Sequence, residues 1–247
     1  ISPIRDIEII ESELILADMQ TLEKRIESLT KRAKGNDKEA KELLEVAKEL
    51  LVHLENSQPA STFKDKSEAY YKLLKELRLL SAKEIIYGAN VDEDSLAEDN
   101  KYVKELKEYA KKFNREVIKL SAKLEEELID FSEEEKKEML ASLGVKESGL
   151  EQIIKKGFDK LGLMSYFTAG VKEVRAWTIK KGTKAPDAAA VIHNDFKKGF
   201  IRAEVISYED FIKYNGEAGA KEAGKMRLEG KDYIVQDGDI IHFRFNV

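Results

Sequence analysis

Gly219-Ala-Lys-Glu-Ala-Gly224-Lys225 has the glycine and lysine spacing of a loop whose backbone N–H groups cradle phosphates. The next residue is Met226, and a thioether cannot supply the hydroxyl that ligates magnesium in such a loop. No apolar strand precedes Gly219, so an ordinary glycine-rich loop is expected. Asp159-Lys-Leu-Gly162 spells the D-x-x-G of a nucleotide switch, but Ile153, Ile154 and Phe158 repeat at helical spacing, which makes it a helix end. The histidines, His53, His193 and His242, lie far apart, and none has a Ser or Asp at a spacing that suggests a triad. With no cysteine, a thiolate metal site, a disulfide scaffold and a Cys nucleophile are all excluded. Trp177 has a face on which a base could stack, although a Trp in an alternating strand is more often core.

These groups belong to a chain of 247 residues with 43 Lys plus Arg, 48 Asp plus Glu and a formal charge of −5. No run of about 18 apolar residues occurs, so no membrane span is expected. No basic segment leads an apolar one at the start, so no signal peptide is read, and Ile1 in place of Met suggests an upstream part. Together with the missing cysteines this gives a cytoplasmic reading. Ile15, Met19, Leu22, Ile26 and Leu29 recur at spacings of four and three, which predicts a helix over 6–32 with a coiled-coil seam. Lys34-Gly35-Asn36-Asp37 interrupts it, with Asn36 expected to cap the next helix and Glu39 to complete the capping box. Ala40, Leu43, Ala47, Leu50 and Leu54 form an answering seam, and so short a turn forces an antiparallel helical hairpin. Pro59 ends it, and a further helix over 66–80 returns toward the hairpin base.

The period then changes. Glu84–Asn90 reads as a strand, 96–113 as one helix and Val117–Leu120 as a second strand, so a parallel pair is expected. Two strands alone leave an open edge. Ser132 with Glu135 opens a helix over 131–143, and another follows over 149–161. Val174–Ile179 and Ile240–Phe245 read as strands, and Pro186 suits the first turn of a helix over 187–193.

In open α/β sheets ligands bind at the carboxyl ends of strands. The first strand ends in Asn90-Val91-Asp92-Glu93. P-loop GTPases carry Asn-Lys-x-Asp there, and its terminal carboxylate accepts the N1–H and N2–H₂ donors of guanine. Val91 and Glu93 replace the Lys and the Asp in this chain. The second strand ends in Ser121-Ala122-Lys123, which looks like the Ser-Ala-Lys turn that contacts the base in the same class. Either turn alone also reads as polar residues in a strand-to-helix loop. The hairpin tip is basic: Lys31, Arg32, Lys34, Lys38 and Lys41 outnumber Asp37 and Glu39. A phosphate-neutralising RNA contact and a solvated helical turn both fit that patch.

The whole chain resembles the YchF subfamily of Obg-like P-loop ATPases. Pro3-Ile-Arg-Asp6 looks like that family's junction after its switch regions, and Arg175-Ala-Trp-Thr-Ile-Lys-Lys-Gly-Thr-Lys-Ala-Pro186, Gly199-Phe-Ile-Arg-Ala203 and Lys221-Glu-Ala-Gly224 are similar to its TGS domain. The resemblance implies an α+β multidomain chain. Residues 1–13 would end the first part of a nucleotide domain and 14–80 form the helical hairpin (coiled coil). Residues 81–165 would complete a partial α/β P-loop NTPase domain, and 166–247 would form a β-grasp, ubiquitin-like TGS domain. It further implies a ribosome-associated ATPase that prefers ATP to GTP, with Asn90 and Glu93 framing adenine, Val91 giving backbone contacts, and Ser121 and Ala122 beside them. ATP and magnesium would serve the complete protein, while the phosphate loop and magnesium ligands are missing from these 247 residues, which are expected to be inactive alone. Ribosomal RNA or protein is the implied partner, with no membrane and no DNA sequence specificity. A non-catalytic ribosome-binding module acting through the hairpin tip and TGS domain is the alternative.

Overall fold

An unbroken heptad-like seam, without an interior Gly or Pro, gives α1 (Pro3–Lys34) its length of 32 residues. The computed structural model describes residues 2–35, 37–170 and 173–246. Pro3 occupies the first turn, where its missing N–H is not needed. α1 runs further at both ends than the seam alone marks. Asn36, the expected cap, lies outside the described residues. Asp37 caps α2 (Lys38–Glu55), its carboxylate accepting the Ala40 N–H at 3.0 Å. Both seams pack as the sequence requires: Leu22, Leu29, Ala40, Leu43, Ala47, Leu50 and Leu54 form one buried core with Ile15, and Met19 and Ile26 lie partly buried against it. α3 (Glu68–Leu77), capped by Ser67, closes that core with Tyr70 and Leu73.

A carboxylate is buried beside this core. Asp18, 2% exposed, accepts N–H bonds from Leu80 and Ser81 at 2.7 Å each and the Ser81 hydroxyl at 2.6 Å. Ser81 Oγ in turn accepts the Ala60 N–H at 3.0 Å. The chain leaving the hairpin is therefore pinned to α1 by a carboxylate.

β1 (Ile86–Asn90) and β2 (Glu116–Leu120) form a parallel pair in the register Ile86↔Glu116 to Asn90↔Leu120. The expected single helix between them is two, α4 (Asp94–Ala97) and α5 (Lys101–Lys112), because Asn100 starts a new helix by accepting the Val103 N–H at 3.0 Å. Tyr87 from β1 donates to Glu11 of α1 at 2.7 Å, and Arg115 bonds both groups. Burial, then the bond to Glu11, holds the Tyr87 phenol above its ordinary range. Downstream, α6 (Ala122–Glu127) and α7 (Glu133–Ser142) follow, the latter opened by the Ser132/Glu135 capping box. α8 (Gly149–Lys160) comes next.

The chain divides into two compact units, Ile1–Ile153 and Ile154–Val247. In the second, β3 (Leu163–Ala169), β4 (Val174–Lys180), β5 (Phe200–Ile206), β6 (Arg227–Glu229) and β7 (Ile240–Phe245) make a mixed sheet in the order β4-β3-β7-β5-β6. α9 (Ala185–Ile192) lays three alanines, Ala185, Ala188 and Ala189, into its core against Tyr166, Val205 and Phe243. Small residues allow that close approach, and the buried Tyr166 hydroxyl finds the Ala188 carbonyl at 2.9 Å. Among the described residues no helix is long and apolar enough to cross a membrane.

Candidate functional site

The parallel register brings the carboxyl ends of β1 and β2 to one level. The Val91 N–H donates to the Leu120 carbonyl at 2.8 Å, extending the ladder by one residue, and the Val91 side chain turns into the cluster of Leu96, Leu124, Leu128 and Leu140. The two sequence-predicted turns then meet directly: Asn90 Oδ1 accepts the Ala122 N–H at 3.0 Å. Ser121, 3% exposed, caps α6 through the Leu124 N–H, so its hydroxyl is a structural acceptor. Asp92 accepts the Ser95 N–H at 3.0 Å and opens α4. Glu93 points across the gap to Lys123, Nζ to Oε1 3.2 Å, and Lys123 also lies 3.6 Å from Glu127. The Glu93 bond holds the Lys123 ammonium above its usual range, so it stays charged.

A cleft of 370 Å³ lies among Asn90, Val91, Asp92, Glu93, Asp94, Ser121 and Lys123. That volume suits a small planar ligand. Asn90 has an amide Nδ2 with no partner among the described residues, and Glu93 is an acceptor at the rim. The Ala122 N–H is spent on Asn90 and is not available to a carbonyl oxygen. The set therefore complements a heterocycle that donates from an exocyclic amine and accepts on a ring nitrogen. A polyphosphate does not fit: Asp92, Glu93 and Asp94 line the cleft, and Lys123, its one cation among the described lining residues, is paired. Of the residues expected from the sequence, Asn90, Val91, Glu93 and Ser121 line this cleft and Ala122 bonds to Asn90 beside it; Asp92, Asp94 and Lys123 were not among them, and the signal for Lys123 was its place in the Ser-Ala-Lys turn opposite an acidic residue.

At the hairpin tip Lys31, Lys34 and Lys38 are exposed, whereas Arg32 is bound by Asp37 at 2.7 and 3.2 Å and Lys41 has its own partner. Arg32 therefore shapes the tip. The other residues considered are structural. The expected glycine-rich loop at 219–225 is in greater part a short helix, Glu217–Glu222, in which Gly219 lies so close to the Tyr214 carbonyl that a Cβ would come within 2.0 Å of it. Trp177 is half-buried, donates to Thr168 at 2.9 Å and is covered by the Arg175 guanidinium at 4.3 Å, so its face is not open to a base. His53 bridges Pro59 and Thr62, and His193 caps the helix Asn194–Lys198.

A family model named for the carboxyl-terminal region of YchF GTPases, described as a protein of unknown function, matches residues 163–246. A ribosome-binding ATPase YchF from Bacillus subtilis is 53% identical over 249 residues, an alignment that takes in 100% of this chain and 68% of the relative. The chain belongs to the YchF family. The Haemophilus influenzae ribosome-binding ATPase YchF is 54% identical with the same coverage. The solved Schizosaccharomyces pombe YchF GTPase superposes with a TM-score of 0.81 at 38% identity, covering 99% of this chain and 66% of that one. This YchF-family chain thus spans about two thirds of the length of its relatives, with their mixed α/β architecture.

Proposed function

We propose that this chain is the base-recognising and ribosome-contacting portion of a cytoplasmic ribosome-associated ATPase. The observation that carries the reading is the hydrogen bond from Ala122 to Asn90, which joins the two strand-end turns into one base-sized cleft with Glu93 at its rim. The names of those relatives, ribosome-binding ATPase, supply the partner and reaction class of this reading. In this reading residues 1–13 and 81–165 belong to a P-loop nucleotide domain, 14–80 form an inserted coiled-coil hairpin, and 166–247 form a β-grasp TGS domain.

Base choice follows from donors and acceptors. Adenine presents an N6–H₂ donor to the Glu93 carboxylate and a ring nitrogen to Asn90 Nδ2, with Val91 lending its carbonyl. Guanine presents O6 where adenine has an amine, and O6 meets a carboxylate with the Ala122 N–H already occupied. An acceptor facing an acceptor in a confined site costs about 1–3 kcal/mol, so ATP is favoured. Ser121 and Ala122 position Asn90. Hydrolysis is attack of water on the γ-phosphate, a reaction in which positioning and charge neutralisation dominate. Magnesium supplies part of that neutralisation when bound with ATP. The acidic cleft described above holds the base end, and phosphate and metal ligands lie elsewhere in the complete protein. At the hairpin tip, Lys31, Lys34 and Lys38 face ribosomal RNA phosphates, with Arg32 and Lys41 maintaining the tip.

Competition of ATP and GTP against a fluorescent ATP analogue on the complete protein tests the base assignment. ATP is expected to compete at roughly tenfold or more lower concentration, and Glu93→Asp to narrow the gap. Equal competition by GTP on the unaltered protein overturns it.

A further inference from the structure

In the second unit β4 is an edge strand, seven residues long and in unbroken register with β3. An antiparallel ladder alternates between bonded and non-bonded pairs. Lys181 N–H bonds the Gly162 carbonyl at 2.8 Å beyond one end, and Gly170 N–H bonds the Glu173 carbonyl at 2.9 Å beyond the other. Counting inward by twos from either pair, Arg175, Trp177 and Ile179 exchange their backbone bonds with β3. The N–H and C=O groups of Val174, Ala176 and Thr178 therefore point away from the sheet, and none has a partner among the described residues. Val174 is 72% exposed, and Ala176 and Thr178 are exposed too.

Open edges are usually blunted by shortness, proline, bulges or charge. β4 carries only charge: Arg175 near one end and Lys180 at the other. Arg175 is held over the Trp177 ring at 4.3 Å, with Glu173 at 3.9 Å, and Lys180 has no ion-pair partner among the described residues. The next two lysines, Lys181 and Lys184, are already paired with Asp159 and Asp232. A second copy adding to this edge would bring two more cations and no carboxylate, since Val174–Lys180 contains no acidic residue, and like charges gathered on one short ladder are destabilising. An extended segment with two carboxylates five residues apart, on opposite faces as Arg175 and Lys180 are, and small or β-branched residues between would satisfy both the charges and the outward backbone groups. We infer that β4 is a docking edge for an extended, acid-flanked peptide segment of a partner protein, which joins the sheet as a further strand next to Val174–Lys180.

Backbone amide spectra and hydrogen exchange of the ¹⁵N-labelled protein test this with three probes: the hexapeptide Asp-Val-Thr-Val-Thr-Glu, its counterpart with lysines at both ends, and a short uridine RNA. The acidic peptide is expected to shift and protect the amides of Val174, Ala176 and Thr178, leaving those of Arg175, Trp177 and Ile179 nearly unchanged. Arg175→Glu with Lys180→Glu should weaken it roughly three- to tenfold and confer binding of the lysine-ended peptide. Ala176→Pro, which removes one outward N–H at an edge position that tolerates proline, should abolish binding. If that variant unfolds, the charge-reversal pair still decides. Equal binding of both peptides, no alternating protection, or protection of the same amides by RNA or by self-association would each overturn the inference.

Discussion

Replacing Asp18 with alanine is expected to be among the most damaging single changes in the first unit. The carboxylate accepts the Leu80 and Ser81 N–H groups and the Ser81 hydroxyl, and is 2% exposed. A hydrogen bond to a charged group contributes about 1.5–3 kcal/mol, and an abandoned buried donor costs about 1–3 kcal/mol. The two N–H groups cannot turn elsewhere, whereas the hydroxyl can rotate. The loss is therefore about 3–5 kcal/mol, a large share of the 5–15 kcal/mol typical of a domain. At about 2–4 °C per kcal/mol for a protein of this size, the midpoint of the first unit should fall by about 10 °C. Asp18→Asn keeps one acceptor oxygen and should lose roughly half as much. Urea unfolding followed by amide signals of α1, with exchange rates at Ala60, Leu80 and Ser81, measures both effects. Asp18→Ala within about 1 kcal/mol of the unaltered protein would refute the reasoning, since it would mean that those N–H groups find other acceptors.

Gly149→Ala places a Cβ 2.3 Å from the Leu120 Cβ, so the backbone must shift; a loss of about 1–3 kcal/mol in urea unfolding is expected, with weaker ATP analogue binding because Leu120 precedes Ser121. Changing Lys31, Lys34 and Lys38 to Glu should weaken ribosome co-sedimentation and flatten its salt dependence, while Arg32→Ala should act mainly by loosening the tip, seen as faster exchange at Ala40. Asp99 is held below its usual range by the bonds from Lys107 and then Lys119, so its stabilising contribution is complete above the unfolded carboxylate value and disappears as pH falls through the lower folded one. Carboxyl NMR titration should find Asp99 ionised to lower pH than an ordinary aspartate, and Lys119→Met should bring its titration back toward the ordinary value.

What the sequence made legible depended on how local the cause was. The hairpin follows from two seams and a short turn, and every seam residue named for α2 is buried. That Asp37 caps α2 was not legible, because its second carboxylate oxygen is held by Arg32, five residues earlier, a contact that belongs to the closed turn. Asp18 had a partial signal. It lies three residues after Ile15 and four before Leu22, on the seam itself, where a carboxylate implies a buried set of donors. Those donors are the N–H groups of Leu80 and Ser81, more than sixty residues away, and no periodicity relates them to Asp18. The break between α4 and α5 was masked by the apolar positions Val103, Leu106 and Ala110, which continue a helical rhythm from Leu96; Asn100 is the stop, and its capping bond costs the chain only one interrupted turn.

The proposed base cleft shows the same division. Asn90 and Ala122 could each be placed at a strand's end because strands and their order are local or topological facts. Their mutual hydrogen bond depends on the register of a parallel pair, which pattern alone does not set. Once Ile86 lies opposite Glu116, Asn90 must lie opposite Leu120, and the first free N–H beyond Ser121 falls within reach of the Asn90 carbonyl oxygen. A one-residue slip would part them and would also turn Ile118, 1% exposed, out of the core. The burial of a single isoleucine thus helps fix the register that closes this cleft, so the proposed base recognition would depend on the packing of β2 as well as on the residues that line the cleft.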